Sequence, residues 1–140
     1  MDLIKDALQD KRVLDDWKSY RIRNQFDVNL KDFLNKDYRC KEEKCNNYTL
    51  IIYANSSFEL IGIYYKEKLV YARLLSIKGE LCCSYKYGSF ADILFFEIST
   101  HYPIYEHELY KKYSYIINGN TSEVINSDTI YMKKFSFIEE

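Results

Sequence analysis

Between Tyr48 and Tyr87 the apolar positions fall into short runs of β-branched and aromatic residues separated by polar breaks. Tyr48, Thr49, Leu50, Ile51, Ile52 and Tyr53 form the first run, a composition that suits a pleated surface. Asn55, Ser56 and Ser57 stop it, because their side chains hydrogen-bond nearby backbone and favour turns. Phe58 to Tyr65 is apolar at odd and even positions alike, which predicts a central strand covered on both faces, or covered on one and fitted to a partner on the other. Lys66, Glu67 and Lys68 make the next break. Leu69 to Ile77 fits helix or strand by itself, but Lys78 and Gly79 join it to Leu81, Cys83, Tyr85 and Tyr87, which alternate with Cys82, Ser84 and Lys86. That pattern predicts a hairpin, and so four sequential antiparallel strands.

Upstream, Leu3, Ile4, Ala7 and Leu8 recur at helical spacing behind Asp2, an N-cap residue type, and Val13, Leu14 and Trp17 continue the stripe. Asp10, Lys11, Arg12, Asp15, Asp16 and Lys18 supply a solvated side, so one helix or two short ones fill residues 2–19. From Tyr20 two periods compete, and the pattern favours an extended piece near 20–25 followed by a helix over 28–37 capped by Asp27 or Asn29. Residues 35–47 are mostly polar and read as a linker.

Downstream, Ser89 and Asp92 resemble a capping box, and Phe90, Ile93, Leu94 and Glu97 fit a helix that ends before Pro103, with a buried strand as the rival reading. Tyr105 and Leu109 suggest a further helical turn in which Glu106 and Glu108 precede Lys111 and Lys112, the order the helix dipole favours. Tyr113, Tyr115 and Ile117 then alternate up to Asn118-Gly119, the preferred pair for a type I′ turn, and Val124, Ile125, Ile130, Met132, Phe135 and Phe137 return as strands. The expected architecture is a single α+β domain over residues 1–140, with an antiparallel sheet of about six strands and N-terminal and central helices packed on one face.

Composition narrows the function. A chain of 140 residues is long enough to bury a core without a disulfide or metal staple. Its 20 basic and 21 acidic residues are mixed along the chain, for a net charge of −1, so a nucleic acid is not the expected partner. No apolar run approaches the roughly 20 residues that cross a bilayer, and Met1-Asp2 opens no signal-peptide pattern. The expectation is a cytoplasmic protein that makes no membrane contact.

The candidate chemistry is thin. Cys40 and Cys45 flank a charged stretch, and Cys82 and Cys83 are adjacent in a strand, where neighbouring side chains diverge. Neither spacing is a zinc pattern, His101 and His107 lie in another segment, and free thiols are expected. Sequons at Asn47, Asn55 and Asn120 read as ordinary turn residues. His107 between Glu106 and Glu108 reads as mixed surface charge, and Asp15 and Asp16 as a solvated helix face rather than a metal pair. With four glycines and no G-x-x-x-x-G-K or G-x-G-x-x-G, the chain has no phosphate cradle. No catalytic residue, metal site or cofactor is expected.

Tyrosine does rise above background. Fifteen of them, many on the expected strands, suit a docking face, since Tyr brings large contact area at small entropic cost. The accompanying abundance of Ile, Asn and Lys is equally what an AT-rich coding sequence produces. The expected function is therefore a small non-catalytic protein that neutralises another protein, such as a toxin or a host enzyme, by occlusion, in the manner of immunity proteins and phage or viral inhibitors. Tyr105, Glu106 and Glu108, an aromatic and two acids after Pro103, are the candidate contacts. Two alternatives stand beside it: a small-molecule pocket between helices and sheet using tyrosine and carboxylate chemistry, and single-stranded nucleic-acid binding on sheet aromatics.

Overall fold

The computed structural model describes residues 1–24, 28–34, 38–55, 58–76, 82–104 and 107–134. Two compact units divide the chain, Met1–Lys78 and Gly79–Glu140. The first carries helices α1 (Leu3–Ala7), α2 (Lys11–Asn24) and α3 (Leu30–Leu34) and strands β1 (Arg39–Cys45), β2 (Tyr48–Ala54), β3 (Phe58–Tyr65) and β4 (Lys68–Ser76). The second carries β5 (Cys82–Phe90), β6 (Ile93–Ile104), β7 (His107–Asn118) and β8 (Glu123–Lys134). The architecture is thus broadly α+β but sheet-rich, with two four-stranded antiparallel meanders, β1-β2-β3-β4 and β5-β6-β7-β8, in place of one sheet of about six strands.

The first unit keeps most of its expected elements. Asp2 caps α1 by accepting from the Lys5 N–H at 3.2 Å. Asp10 caps α2, its Oδ1 accepting from the N–H groups of Arg12 and Val13 at 2.9 and 3.3 Å, so two helices rather than one cover the N-terminal stripe. Asn29 caps α3 through the Asp32 N–H at 2.8 Å. Every residue of β3 is buried, as its doubly apolar pattern requires. Asn55 closes the turn before it, its Oδ1 accepting from the Phe58 N–H at 3.0 Å. Lys66 and Glu67, at φ 49° and 69°, form the two-residue link to β4, both in the left-handed region that primed hairpin turns demand.

One face of this sheet takes the helices. Leu3, Ala7, Val13, Trp17, Tyr20, Leu30, Phe33 and Leu34 pack with Ile51, Phe58, Leu60, Tyr64, Ala72 and Leu74 in one core. Phe33 is central, with ring centroids 4.5 Å from Trp17, 5.6 Å from Tyr20 and 4.8 Å from Phe58. Burial of side chains this large stabilises by about 1.5–3 kcal/mol each. Gly62 gives α1 its close seat, since a Cβ there would lie 2.3 Å from Leu3 Cδ1.

Several expectations are overturned. α2 runs to Asn24, so the extended piece near 20–25 is helix up to that residue; the buried Trp17 and Tyr20 continue one helical face. The polar stretch read as a linker contains β1, an edge strand whose charges remain in solvent while its backbone pairs with β2. Among the described residues β4 and β5 lie in different sheets, so the hairpin expected between them does not form; Lys78 and Gly79 fall outside those residues.

No central helix exists among the described residues. Residues 93–104 form β6, with Leu94, Phe96, Ile98 and Thr100 buried and intervening positions more open. This period of two, carried by aromatic and β-branched side chains, outweighs the partial 3.6 match of Phe90, Ile93, Leu94 and Glu97. Asp92 sits in the turn after β5, where its carbonyl accepts from the Gly119 N–H at 3.2 Å and its Oδ2 from Asn120 Nδ2 at 2.6 Å. Pro103 pairs with Glu108 of β7 but lies beyond Cys82↔His101, the last pair of β5 with β6, so its missing N–H breaks no ladder on that side. Glu108, Lys111 and Lys112 therefore lie on a strand, where no helix dipole acts on them.

After Asn118 the loop is four residues long rather than two. Asn118 Oδ1 accepts from the N–H groups of Asn120 and Thr121 at 3.0 and 3.2 Å, and Ser122, at φ 62°, donates its N–H to the Asn118 carbonyl at 2.8 Å. Val124, Ile125, Ile130 and Met132, expected as strands, lie together on the single strand β8, while Phe135 and Phe137 fall outside the described residues.

Candidate functional site

The second sheet has two unlike faces. Directly opposed residues of an antiparallel sheet share a face, and the register of β5-β6-β7-β8 runs without a shift. Leu94, Phe96, Ile98, Thr100, Tyr115 and Ile117 lie on one face and are buried. The other face carries the cross-strand row Gly88, Phe95, Ile116, Ile125, flanked by Phe90. Phe90, Phe95, Ile116 and Ile125 are 80%, 52%, 41% and 63% exposed. Several contiguous apolar side chains left in solvent mark an interaction surface more often than isolated ones do.

A shallow, open depression of about 360 Å³ lies on this face, lined by Lys86, Gly88, Phe95, Glu97, Ser114 and Ile116 among others. It exists because Gly88 and Ser114 leave space beside the Phe95 ring; a Cβ on Gly88 would meet nothing within 4 Å. Lys86 and Glu97, opposite each other across β5 and β6, give its rim both signs of charge.

Further along the same face His101, Tyr110 and Tyr131 stack in a second row, with centroids 5.4 and 5.1 Å apart and planes within 7° and 9°. Glu108 joins them, accepting the Tyr110 hydroxyl and lying 3.7 Å from His101 Nδ1. The hydrogen bond to Glu108 raises the Tyr110 pKa above its ordinary value. This grouping lies on the pleated face of the sheet.

Of the three residues expected to make contacts, Glu108 thus lies on the Phe95 face, while Tyr105 and Glu106 fall outside the described residues. The other candidates do not converge. His101 and His107 point to opposite faces, since His107 opposes Ile104 and not an odd-numbered residue of β6. Cys40 and Cys45 lie toward opposite ends of β1. Among the described residues no group of His, Cys, Asp and Glu could hold a metal ion, and no helix is long and apolar enough to cross a membrane.

Asp16 departs from the solvated face expected of it. Its carboxylate takes a bidentate pair from Arg73, Nε to Oδ2 at 2.7 Å and Nη2 to Oδ1 at 3.0 Å, and Oδ2 also accepts the Leu74 N–H at 3.0 Å. Burial works against the Arg73 charge, but the hydrogen bonds to Asp16 and Tyr71 outweigh it and hold its pKa above the ordinary value. Arg12, whose Nη1 donates to the Val70 carbonyl at 3.0 Å, completes the clasp of α2 along β4.

The exposed Phe95 row was missed in the sequence because adjacent apolar pairs, Phe95-Phe96 and Ile116-Ile117, conceal which member faces solvent. A reading of 93–104 and 107–118 as paired strands exposes it. Compared with protein-family profiles, curated proteins and solved structures, the chain matches none.

Proposed function

We propose that this chain is a non-catalytic binding protein of the cytoplasm that neutralises another protein by covering it, as immunity proteins and phage or viral inhibitors do, and that the Phe95 face of the second sheet is its docking surface. The observation that carries this reading is the exposed row of Phe95, Ile116 and Ile125 with Phe90 beside it, rimmed by Lys86 and Glu97. An apolar centre inside a mixed polar rim is the usual anatomy of a protein interface. Glu108 and the Tyr110–Tyr131 stack extend the same face and supply aromatic and acidic contacts.

Among the described residues, side chains from Leu3 to Phe33 pack between the helices and the sheet of the first unit, which supports the docking reading over a small-molecule pocket there. The test is a stoichiometric, saturable complex with one protein from the source cells, measured by calorimetry. Phe95→Asp and Ile116→Asp are expected to abolish it with the circular dichroism spectrum unchanged. A complex indifferent to both substitutions, or turnover of a substrate by the purified chain, overturns the reading.

A further inference from the structure

The two sheets treat their edges differently. In the first, α2 covers the β4 edge by binding the Val70 carbonyl and the Leu74 N–H, and β1 presents the charged run Arg39, Lys41, Glu42, Glu43 and Lys44. In the second, β8 is, among the described residues, an edge strand of 12 residues with no register shift, and Ile125, Ile130, Tyr131 and Met132 are 63%, 63%, 45% and 56% exposed. A long, regular, apolar edge is a template for another strand, since its outward N–H and C=O groups lack a ladder.

We infer that β8 pairs with the β8 of a second copy of this chain, extending the second sheet across a molecular two-fold axis. Two antiparallel copies of one edge are related by a two-fold normal to the sheet, so residues of like parity oppose each other. With the axis at Asp128, Glu123 opposes Lys133 of the second copy, Val124 opposes Met132, Ile125 opposes Tyr131 and Asn126 opposes Ile130. Each of these pairs occurs twice. Moving the axis to Thr129 sets Ile125 against Lys133, Asn126 against Met132 and Asp128 against Ile130, and the complementarity is lost. In the Asp128 register the aliphatic row Phe95, Ile116, Ile125 of one copy continues into the aromatic row Tyr131, Tyr110, His101 of the other. The edge therefore carries the pattern of its own partner, with one flaw: Asp128 meets itself on the axis, and like charges directly opposed weaken a sheet.

That flaw makes the proposal sharp. Sedimentation equilibrium of the full chain is expected to show a reversible monomer–dimer equilibrium. Asp128→Asn is expected to lower the dissociation constant roughly threefold, and Glu123→Lys, which sets Lys against Lys133 twice, to raise it roughly tenfold. The circular dichroism spectrum controls for folding in both. Under mild oxidation Asp128→Cys is expected to yield a 128–128 linked peptide by mass spectrometry, because opposed Cα atoms lie within disulfide reach. Thr129→Cys, opposed to Ser127, is not. A chain that stays monomeric into the millimolar range, its edge then open to a strand of some other protein, overturns the proposal. So does a dimer whose dissociation constant neither substitution moves.

Discussion

At Tyr64 a hydroxyl carries the seam between α1 and the sheet. It donates to Asp6 Oδ2 at 2.5 Å, and burial together with that hydrogen bond holds its pKa well above the ordinary phenol value. Burial also pushes Tyr53 up to about 12. Both folded values exceed the roughly 10 of an unfolded chain, so these groups favour the folded state while protonated. Their contribution is full below about pH 10 and is lost as pH climbs through 12 and beyond. Urea midpoints measured against pH are expected to fall steeply on the alkaline side, and Tyr64→Phe to make that fall shallower. Asp16 offers a second test. Asp16→Ala leaves the Arg73 guanidinium and the Leu74 N–H without their acceptor and is expected to cost about 2 kcal/mol in urea denaturation. The aspartate's identity is plain in the sequence, but its partner is 57 residues away, and no local pattern announces a contact of that range.

Among the elements, α1 depends on a missing side chain. Gly62→Ala drives a Cβ to 2.3 Å from Leu3 Cδ1, so the fully buried Leu3 side chain has to move against its neighbours, at an expected cost of about 1–3 kcal/mol, read as a lowered thermal midpoint. The strands β2 and β3 and the caps Asp2 and Asn29 were legible because composition and punctuation there agree with the final pairing. The element β6 and the first half of β7 were not, because Ser89 and Asp92 imitate a helix start and Glu108, Lys111 and Lys112 imitate a helix-stabilising charge order; the alternation of Tyr113, Tyr115 and Ile117 did mark the second half of β7. What decides them is the partner strand, which supplies a ladder to both at once. The strand β1 was hidden for a simpler reason: an edge strand needs pairing on one side only and can keep polar residues throughout.

On the scale of the whole molecule, charge is divided unevenly. Residues 1–78 hold 15 Lys and Arg against 12 Asp and Glu, whereas residues 79–140 hold five against nine. The unit with the exposed Phe95 row is thus the acidic one, which opposes a polyanion as its partner. Fluorescence anisotropy with a labelled single-stranded oligonucleotide is expected to detect no binding even at low salt. The near-neutral total in the sequence concealed this partition, because the basic excess of residues 1–78 and the acidic excess of residues 79–140 nearly cancel.

Connectivity has a last consequence. Among the described residues of both sheets each strand pairs only with its neighbours in the chain, so contacts are short in sequence and loop closure is cheap in entropy. The final strand of the first sheet ends at Ser76. A nascent polypeptide can therefore assemble its opening meander, hairpin upon hairpin, while the ribosome is still translating the codons of the other.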